Sequence, residues 1–178
     1  RELLDYAKPR HLRRETVELR DIADDAARTV AAVLDQRGQT LTRDHAGALP
    51  PIALDAPRVR QVVWNLLDNA AKASPTGATI ALCTRRDGDR LAIDVIDHGA
   101  GIAAADLARI FEPFFTTRPD GTGLGLAICQ KVVRGHGGEI VVRLDCAPQA
   151  APAPAALVAI GTEAAARNAD GESGGTGE

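Results

Sequence analysis

The chain has 178 residues, 45% of them hydrophobic and 25% charged, the proportions of a globular domain rather than a disordered polymer. Its 21 Lys and Arg against 24 Asp and Glu leave a net charge of −3, which excludes the strongly basic footprint of a nucleic-acid binder. No run of about 18 uncharged apolar residues occurs, so no membrane-spanning helix is predicted.

In chain order, Leu3, Leu4 and Ala7 stand at helical spacing before Pro9, which reads as the end of a helix followed by a linker to Arg14. Thr16 to Leu19 is a short strand candidate, and Asp21 is placed to N-cap a helix over Ile22 to Gln36, stopped by Gly38. Weak strands are predicted at Thr40 to Thr42 and Ile52 to Leu54. Asp55, with Pro57 in the first turn, opens a second helix that runs to about Ala73. Beyond the Ser74-Pro75-Thr76-Gly77 turn, the alternating runs Thr79 to Thr84 and Leu91 to Ile96 predict a β-hairpin with a longer loop over Arg86 to Asp89. Asp97 to Asp120 is loop-rich, with one short helix around Asp106 to Ile110. Gly121 to Gly125 opens a helix ending near Gly135, and Glu139 to Leu144 alternates as a strand. After Cys146 the texture is Ala-, Pro- and Gly-rich, too poor in packing residues to offset its ordering entropy, with at most one short edge strand at Ala156 to Ile160. The order predicts an α+β fold, a two-layer sandwich of one mixed sheet with helices on one face.

Cys83, Cys129 and Cys146 are widely spaced and near no His cluster, so neither a disulfide framework nor a zinc site is indicated, and reduced thiols in a cytosolic setting are expected. No signal peptide is visible. The chain opens Arg1-Glu2-Leu3 and contains no Met, the look of a piece cut from a longer protein.

The helix from Arg58 to Ala73 carries the first chemical signal. At about 100° per residue, Val59, Val62, Val63, Leu66, Leu67, Ala70 and Ala73 form a broad apolar face. Gln61, Asn65, Asp68, Asn69 and Lys72 form a stripe opposite. One reading is a solvated outer face. The other starts from the cost of Asn in mid-helix, where its amide competes for backbone hydrogen bonds. Two amide oxygens one turn apart, with a Lys beyond, suit a hard cation and a phosphate.

Two glycine turns carry the second. Asp97-His98-Gly99-Ala100-Gly101 follows an apolar strand, and its carboxylate is an acceptor for an exocyclic amine such as that of adenine. A plain turn closed by an Asx-type hydrogen bond is the alternative. Gly121-Thr122-Gly123-Leu124-Gly125-Leu126 leads into a helix whose first N–H groups suit phosphate oxygens. It matches neither a P-loop nor a dinucleotide fingerprint. Between the turns, Phe111-Glu112-Pro113-Phe114-Phe115 holds all three Phe residues of the chain, either as a small core anchoring a loop or as the apolar root of a lid whose Arg118 reaches a terminal phosphate.

Taken in order, these stretches resemble the N, G1, F and G2 boxes of the catalytic, ATP-binding domain of bacterial sensor histidine kinases. The lid Phe114 to Pro119 is similar to that of the nitrogen-regulatory and oxygen-sensing subgroup, and Gly135-His136-Gly137-Gly138-Glu139-Ile140 also fits. The resemblance implies a Bergerat-type sandwich binding ATP and Mg²⁺. It implies Asn69 as the main magnesium ligand supported by Asn65, Lys72 on phosphate, Asp97 on the adenine amine, and Gly99 and Gly101 shaping the adenine pocket. Thr122, Gly123, Leu124, Gly125 and Leu126 become the phosphate turn, and Asn65, Lys72 and Arg118 the catalytic set. Asn65 stands where hydrolysing relatives of the fold carry a Glu. An amide is no general base, so slow hydrolysis and transfer to a histidine are expected.

The implied domains are the end of a dimerisation helix and linker over 1–15, the catalytic domain over 16–146, and a poorly ordered tail over 147–178. The implied partners are the histidine-bearing dimerisation domain of the parent protein and a response-regulator receiver domain, with no nucleic acid and no direct membrane contact. A cytoplasmic location is implied, and whether the parent is membrane-anchored is left open. None of His11, His45, His98 or His136 stands in the family's acceptor pattern, so the chain alone is expected to bind ATP without phosphorylating itself. Gly161-Thr162 is followed by no alternating strand, so a last strand of unusual form is expected. Two rival readings are a serine kinase of the anti-sigma type and a nucleotide-binding regulatory module without transfer activity.

Overall fold

A computed structural model describes residues 11–119, 121–143 and the backbone of 156–160. The expectations for Leu3 to Pro9, Leu144, Cys146, Gly161-Thr162 and the rest of the tail lie outside the described residues.

The first strand, β1 (Glu15–Val17), is followed at once by helix α1 (Leu19–Gln36). The helix begins two residues before Asp21, which falls in its first turn, and Glu18 holds the cap position without a side-chain bond. The early start follows from the apolar stripe. Leu19, Ile22, Ala23, Ala26, Ala27, Val30 and Leu34 are all buried, and starting later would leave Leu19 off the core. The helix ends in a Schellman motif. Gly38 takes φ +61°, its N–H bonds Asp35 O at 3.0 Å, and Gln39 N–H bonds Leu34 O at 2.9 Å.

Strands β2 (Thr40–His45) and β3 (Ile52–Leu54) lead to helix α2 (Ala56–Ala73). Asp55 is its N-cap as predicted, its carboxylate accepting from Arg58 N–H, with Pro57 in the first turn. The C-terminal Ser74 is extended, as the residue before Pro75 must be. Strands β4 (Thr79–Asp87) and β5 (Arg90–Ile96) form the hairpin, but the turn is two residues, Gly88-Asp89, because pairing continues to Asp87 and Arg90. Gly88 at φ +62° supplies the left-handed backbone that so tight a turn needs. Asp106 to Ile110 is not an α-helix. It is a string of turns closed by i to i−3 bonds such as Arg109 N–H to Asp106 O at 2.8 Å.

Helix α3 (Gly125–Gly135) ends in a second Schellman motif, with Gly137 at φ +75° and Gly138 N–H on Val133 O at 2.9 Å. Strand β6 is Glu139–Val141, and β7 is Ala156–Ile160. β7 is not an edge strand. The five-stranded sheet runs β2-β4-β5-β7-β6, so β7 is inserted between β5 and β6 and antiparallel to both. Its unbroken apolar run, Ala156-Leu157-Val158-Ala159-Ile160, is the pattern of an interior strand rather than a solvated edge. Among the described residues, only β2 and β4 pair in parallel, across the α2 crossover. A small sheet joins β1 to β3.

The helices pack on the mixed sheet in the predicted two-layer arrangement. Val30, Val59, Val62, Val63, Leu67, Ile80, Leu82 and Ile93 are fully buried between the layers. Two polar contacts fix α2 at its start. Asp55 N–H donates to Nε2 of His136 at 3.0 Å, and Arg13 N–H donates to the Asp55 carboxylate at 3.0 Å. Nδ1–H of the buried His136 donates to Val132 O at 2.8 Å, which sets the tautomer that leaves Nε2 an acceptor.

Candidate functional site

The second half of α2 organises the site. Asn65, Asn69 and Ala73 are spaced by four and share one face of the helix. A different part of the chain meets each of them. α3 meets Asn65, the loop over Phe111 to Leu124 meets Asn69, and the glycine loop after β5 meets Ala73.

Asn65 does not stand in a solvent-facing stripe. It is 7% exposed and its Nδ2 donates to Sγ of Cys129 on α3 at 3.7 Å. A wheel drawn for one helix places Asn65 opposite the apolar residues, but α3 docks against that flank and covers it. The Cys129 thiol donates to Val62 O at 3.8 Å, and burial pushes its pKa up to about 12 against the opposing pull of the Asn65 hydrogen bond.

One turn on, Asn69 is half-buried and engaged by Arg118. The guanidinium donates through Nη1 to Asn69 Oδ1 at 3.4 Å and through Nη2 to Asn69 O at 3.2 Å. Arg118 therefore lies against the Asn69 turn of α2. Lys72 is exposed and ion-paired to Asp68 at 2.7 Å, so its ammonium must leave that carboxylate to meet a phosphate.

At the end of α2, a Cβ on Gly99 would lie 2.7 Å from Ala73 O, so only glycine allows the loop to press on the helix terminus. Asp97 Oδ1 accepts from Gly99 N–H at 2.8 Å, the Asx-type closure that the sequence offered as the alternative reading. His98 ties the loop to β4 through Nδ1–H to Thr79 O at 3.1 Å. Gly101 takes φ +72° with open space around it, a conformational rather than steric requirement.

The glycine turn before α3 is braced by the Phe segment. Phe114 N–H donates to Gly123 O at 2.9 Å, and a Cβ on Gly123, itself at φ +67°, would lie 2.4 Å from the Phe114 carbonyl carbon. Leu124 is buried and anchors the start of α3, with Leu126 packed against the core, and Leu124 N–H bonds Thr122 Oγ1 at 3.4 Å. Gly125 opens the helix. The Phe residues do not form one small core. Phe111 packs on the main core, Phe115 takes the Arg109 guanidinium at 4.3 Å from its ring centroid, and Phe114 is 60% exposed at φ +67°. Sequence reasoning missed Cys129 and His136. A His at a helix end within Gly-His-Gly-Gly is the signal that a C-terminal cap was there to be read.

A mixed sheet layered with helices, whose central helix gathers two amides and two glycine loops along one face, defines an ATPase domain of the nucleotide-binding sandwich class. Residues 54–175 match the family described as histidine kinase-, DNA gyrase B-, and HSP90-like ATPase, and the chain belongs to that family. Within it the chain is homologous to sensor histidine kinases and corresponds to their catalytic ATPase domain. It is 41% identical over 143 residues to the sensor histidine kinase ZraS of Salmonella typhimurium, covering 80% of this chain and 31% of that protein. It is 38% identical over 128 residues to the alginate biosynthesis sensor protein KinB of Pseudomonas aeruginosa, covering 71% and 22%. The chain thus spans about a third or less of the length of these relatives. Among solved structures, full-length ShkA in complex with AMPPNP superposes with a TM-score of 0.75 at 28% identity, over 89% of this chain and 33% of that one. The catalytic domain of histidine kinase ThkA has the same fold, with a TM-score of 0.73 at 23% identity over 84% and 95%. Among the described residues no helix is long and apolar enough to cross a membrane.

Proposed function

We propose that this domain binds ATP with Mg²⁺ and passes the γ-phosphoryl group to a histidine on a dimerisation domain outside this chain, from which a response regulator receives it. The observation that carries the reading is the convergence along α2, where Asn65, Asn69 and Ala73 meet α3, Arg118 and Gly99 in turn. The Phe114 to Pro119 lid supports a place in the nitrogen-regulatory and oxygen-sensing subgroup, in a parent whose catalytic part faces the cytoplasm.

The residues suit a hard cation. Asn69 Oδ1 already faces a positive charge, the Arg118 guanidinium, and an amide oxygen is a proper ligand for magnesium. Asn69 would hold the ion with Asn65 beside it. Magnesium, when bound, neutralises charge on the phosphates. Arg118 leaves Asn69 and moves to phosphate oxygens, and Lys72 leaves Asp68 to do the same. The α3 N-terminus and the Gly123 to Gly125 backbone present N–H groups to those oxygens. Asp97 accepts from the adenine amine, with Gly99 and Gly101 shaping the pocket. No carboxylate takes the place of Asn65 as a base for water, so the phosphoryl group waits for an imidazole.

Calorimetric titration with AMPPNP, with and without Mg²⁺, tests this. Asn69→Ala is expected to remove the magnesium-dependent gain in affinity, and Asp97→Ala to weaken binding with or without the ion. A separately produced dimerisation domain should then acquire acid-labile phosphate. Fast ATP hydrolysis without an acceptor would overturn the reading. Nucleotide binding with no transfer would favour a regulatory module.

A further inference from the structure

We propose that Cys129 is a positioning residue that selects which edge of the Asn65 amide faces the cleft. The inference rests on the reading of that cleft as a magnesium–nucleotide site and assigns a residue whose side chain touches neither metal nor nucleotide.

The geometry is a hydrogen-bond relay with a fixed direction. Cys129 is fully buried, with Sγ 3.8 Å from Val62 O and 3.7 Å from Asn65 Nδ2. A thiol has one proton. The Val62 carbonyl is an acceptor only, so the proton goes there and the sulfur turns lone pairs toward Asn65. Lone pairs ask for a donor, which is the NH₂ edge of the amide. Oδ1 is thereby turned away from the sulfur. The two edges of an Asn amide have nearly the same shape, so packing alone does not choose between them. With Asn65 only 7% exposed, water is a poor substitute for the sulfur. A partner that orients a ligand in this way commonly shifts metal affinity by about tenfold or more, and a weak sulfur acceptor belongs at or below the low end of that range.

The test uses the whole chain with Cys129→Val, which fills the space without accepting, and Cys129→Ser, which accepts. AMPPNP affinity is measured with and without Mg²⁺. Cys129→Val should reduce the magnesium-dependent gain about three- to tenfold and leave magnesium-free affinity unchanged. Cys129→Ser should retain the gain. In an Asn65→Ala background, Cys129→Val should change nothing further. The Asn65 side-chain NH₂ resonances should lose exchange protection in Cys129→Val without any ligand present. Should the Val variant fail to fold, Cys129→Ala carries the same comparison.

A magnesium-dependent gain that survives in Cys129→Val, or that falls equally in Val and Ser variants, overturns the role of the thiol. Failure of the cleft reading looks different. There the unaltered chain gains nothing from magnesium, and Asn69→Ala matches it.

Discussion

The two ends of α2 are built on opposite rules. At its start, every polar group named above is matched by a rigid partner. Asp55 caps the helix, receives Arg13 N–H, and gives its own N–H to a fully buried imidazole whose other nitrogen is bonded to backbone. Towards its end, the backbone of α2 is still tied by the buried Gln39, whose Nε2 donates to Ala71 O and Ser74 O at 2.9 Å, but the polar side chains of its exposed flank have partners that can leave. Asn69 is held by the long side chain of Arg118 at 3.2 to 3.4 Å, and Lys72 by an exposed pair to Asp68. The first end locks the layers together. Under the proposed function, the second holds charge in reserve for a ligand. Stability and binding should therefore separate along one helix, and variants can break that separation in order of size.

The largest expected loss is at the start. His136→Ala removes a buried ring and strands Asp55 N–H, while Val132 O keeps the bond from the backbone N–H of residue 136. We expect destabilisation of roughly 3–5 kcal/mol in denaturant unfolding. Nucleotide affinity of the fraction that remains folded should be unchanged. A loss under about 1 kcal/mol would show that the start of α2 is not the anchor. Next is Gly99→Ala, at the far end. A methyl 2.7 Å from Ala73 O forces the loop off the helix, at roughly 1–3 kcal/mol. Here affinity should fall more than stability, because the displaced loop carries Asp97.

Much of this was legible in the residues. The Asp55 cap with Pro57, the hairpin strands, and the serial order of Asn65, Asn69, Asp97, Gly99 and Gly123 follow from local chemistry, and local chemistry survives folding. What was hidden required knowledge of a second element. Asn65 reads as solvated until α3 lies across it. β7 reads as an edge because its partners are set by long-range pairing with β5 and β6. Asp106 to Ile110 has helical composition, yet the segment is tied at its far end by the Phe114–Gly123 bond and resolves into turns.

Intermediate in size is an effect of pH at the contact between α2 and α3. The Cys129 pKa is raised from an ordinary 9.0 to about 12 in the folded protein. The unfolded chain therefore ionises first. The contribution is fully present below pH 9 and is lost as pH rises toward about 12, at up to roughly 1.4 kcal/mol per pH unit. Unfolding free energies measured from pH 8 to 11 should show this slope, and Cys129→Val should flatten it. A slope that persists in the Val variant would assign alkaline instability to other groups.

The smallest stability effect belongs to the pair at the end of α2. Lys72 and Asp68 stand at i and i+4, with Lys72 in the last turn, where a cation also meets the helix dipole. Because the Lys72 side chain is 39% exposed, solvent screens both terms. Lys72→Ala should therefore change unfolding free energy by no more than about 0.5 kcal/mol. Its effect on nucleotide should be larger, a several-fold weaker affinity for AMPPNP that fades as salt is raised, since a phosphate contact in a cleft still open to ions is screened. A loss of more than about 1 kcal/mol of stability, or an affinity untouched at low salt, would place Lys72 with the anchoring end of the helix. The helix would then have one rule along its length rather than two.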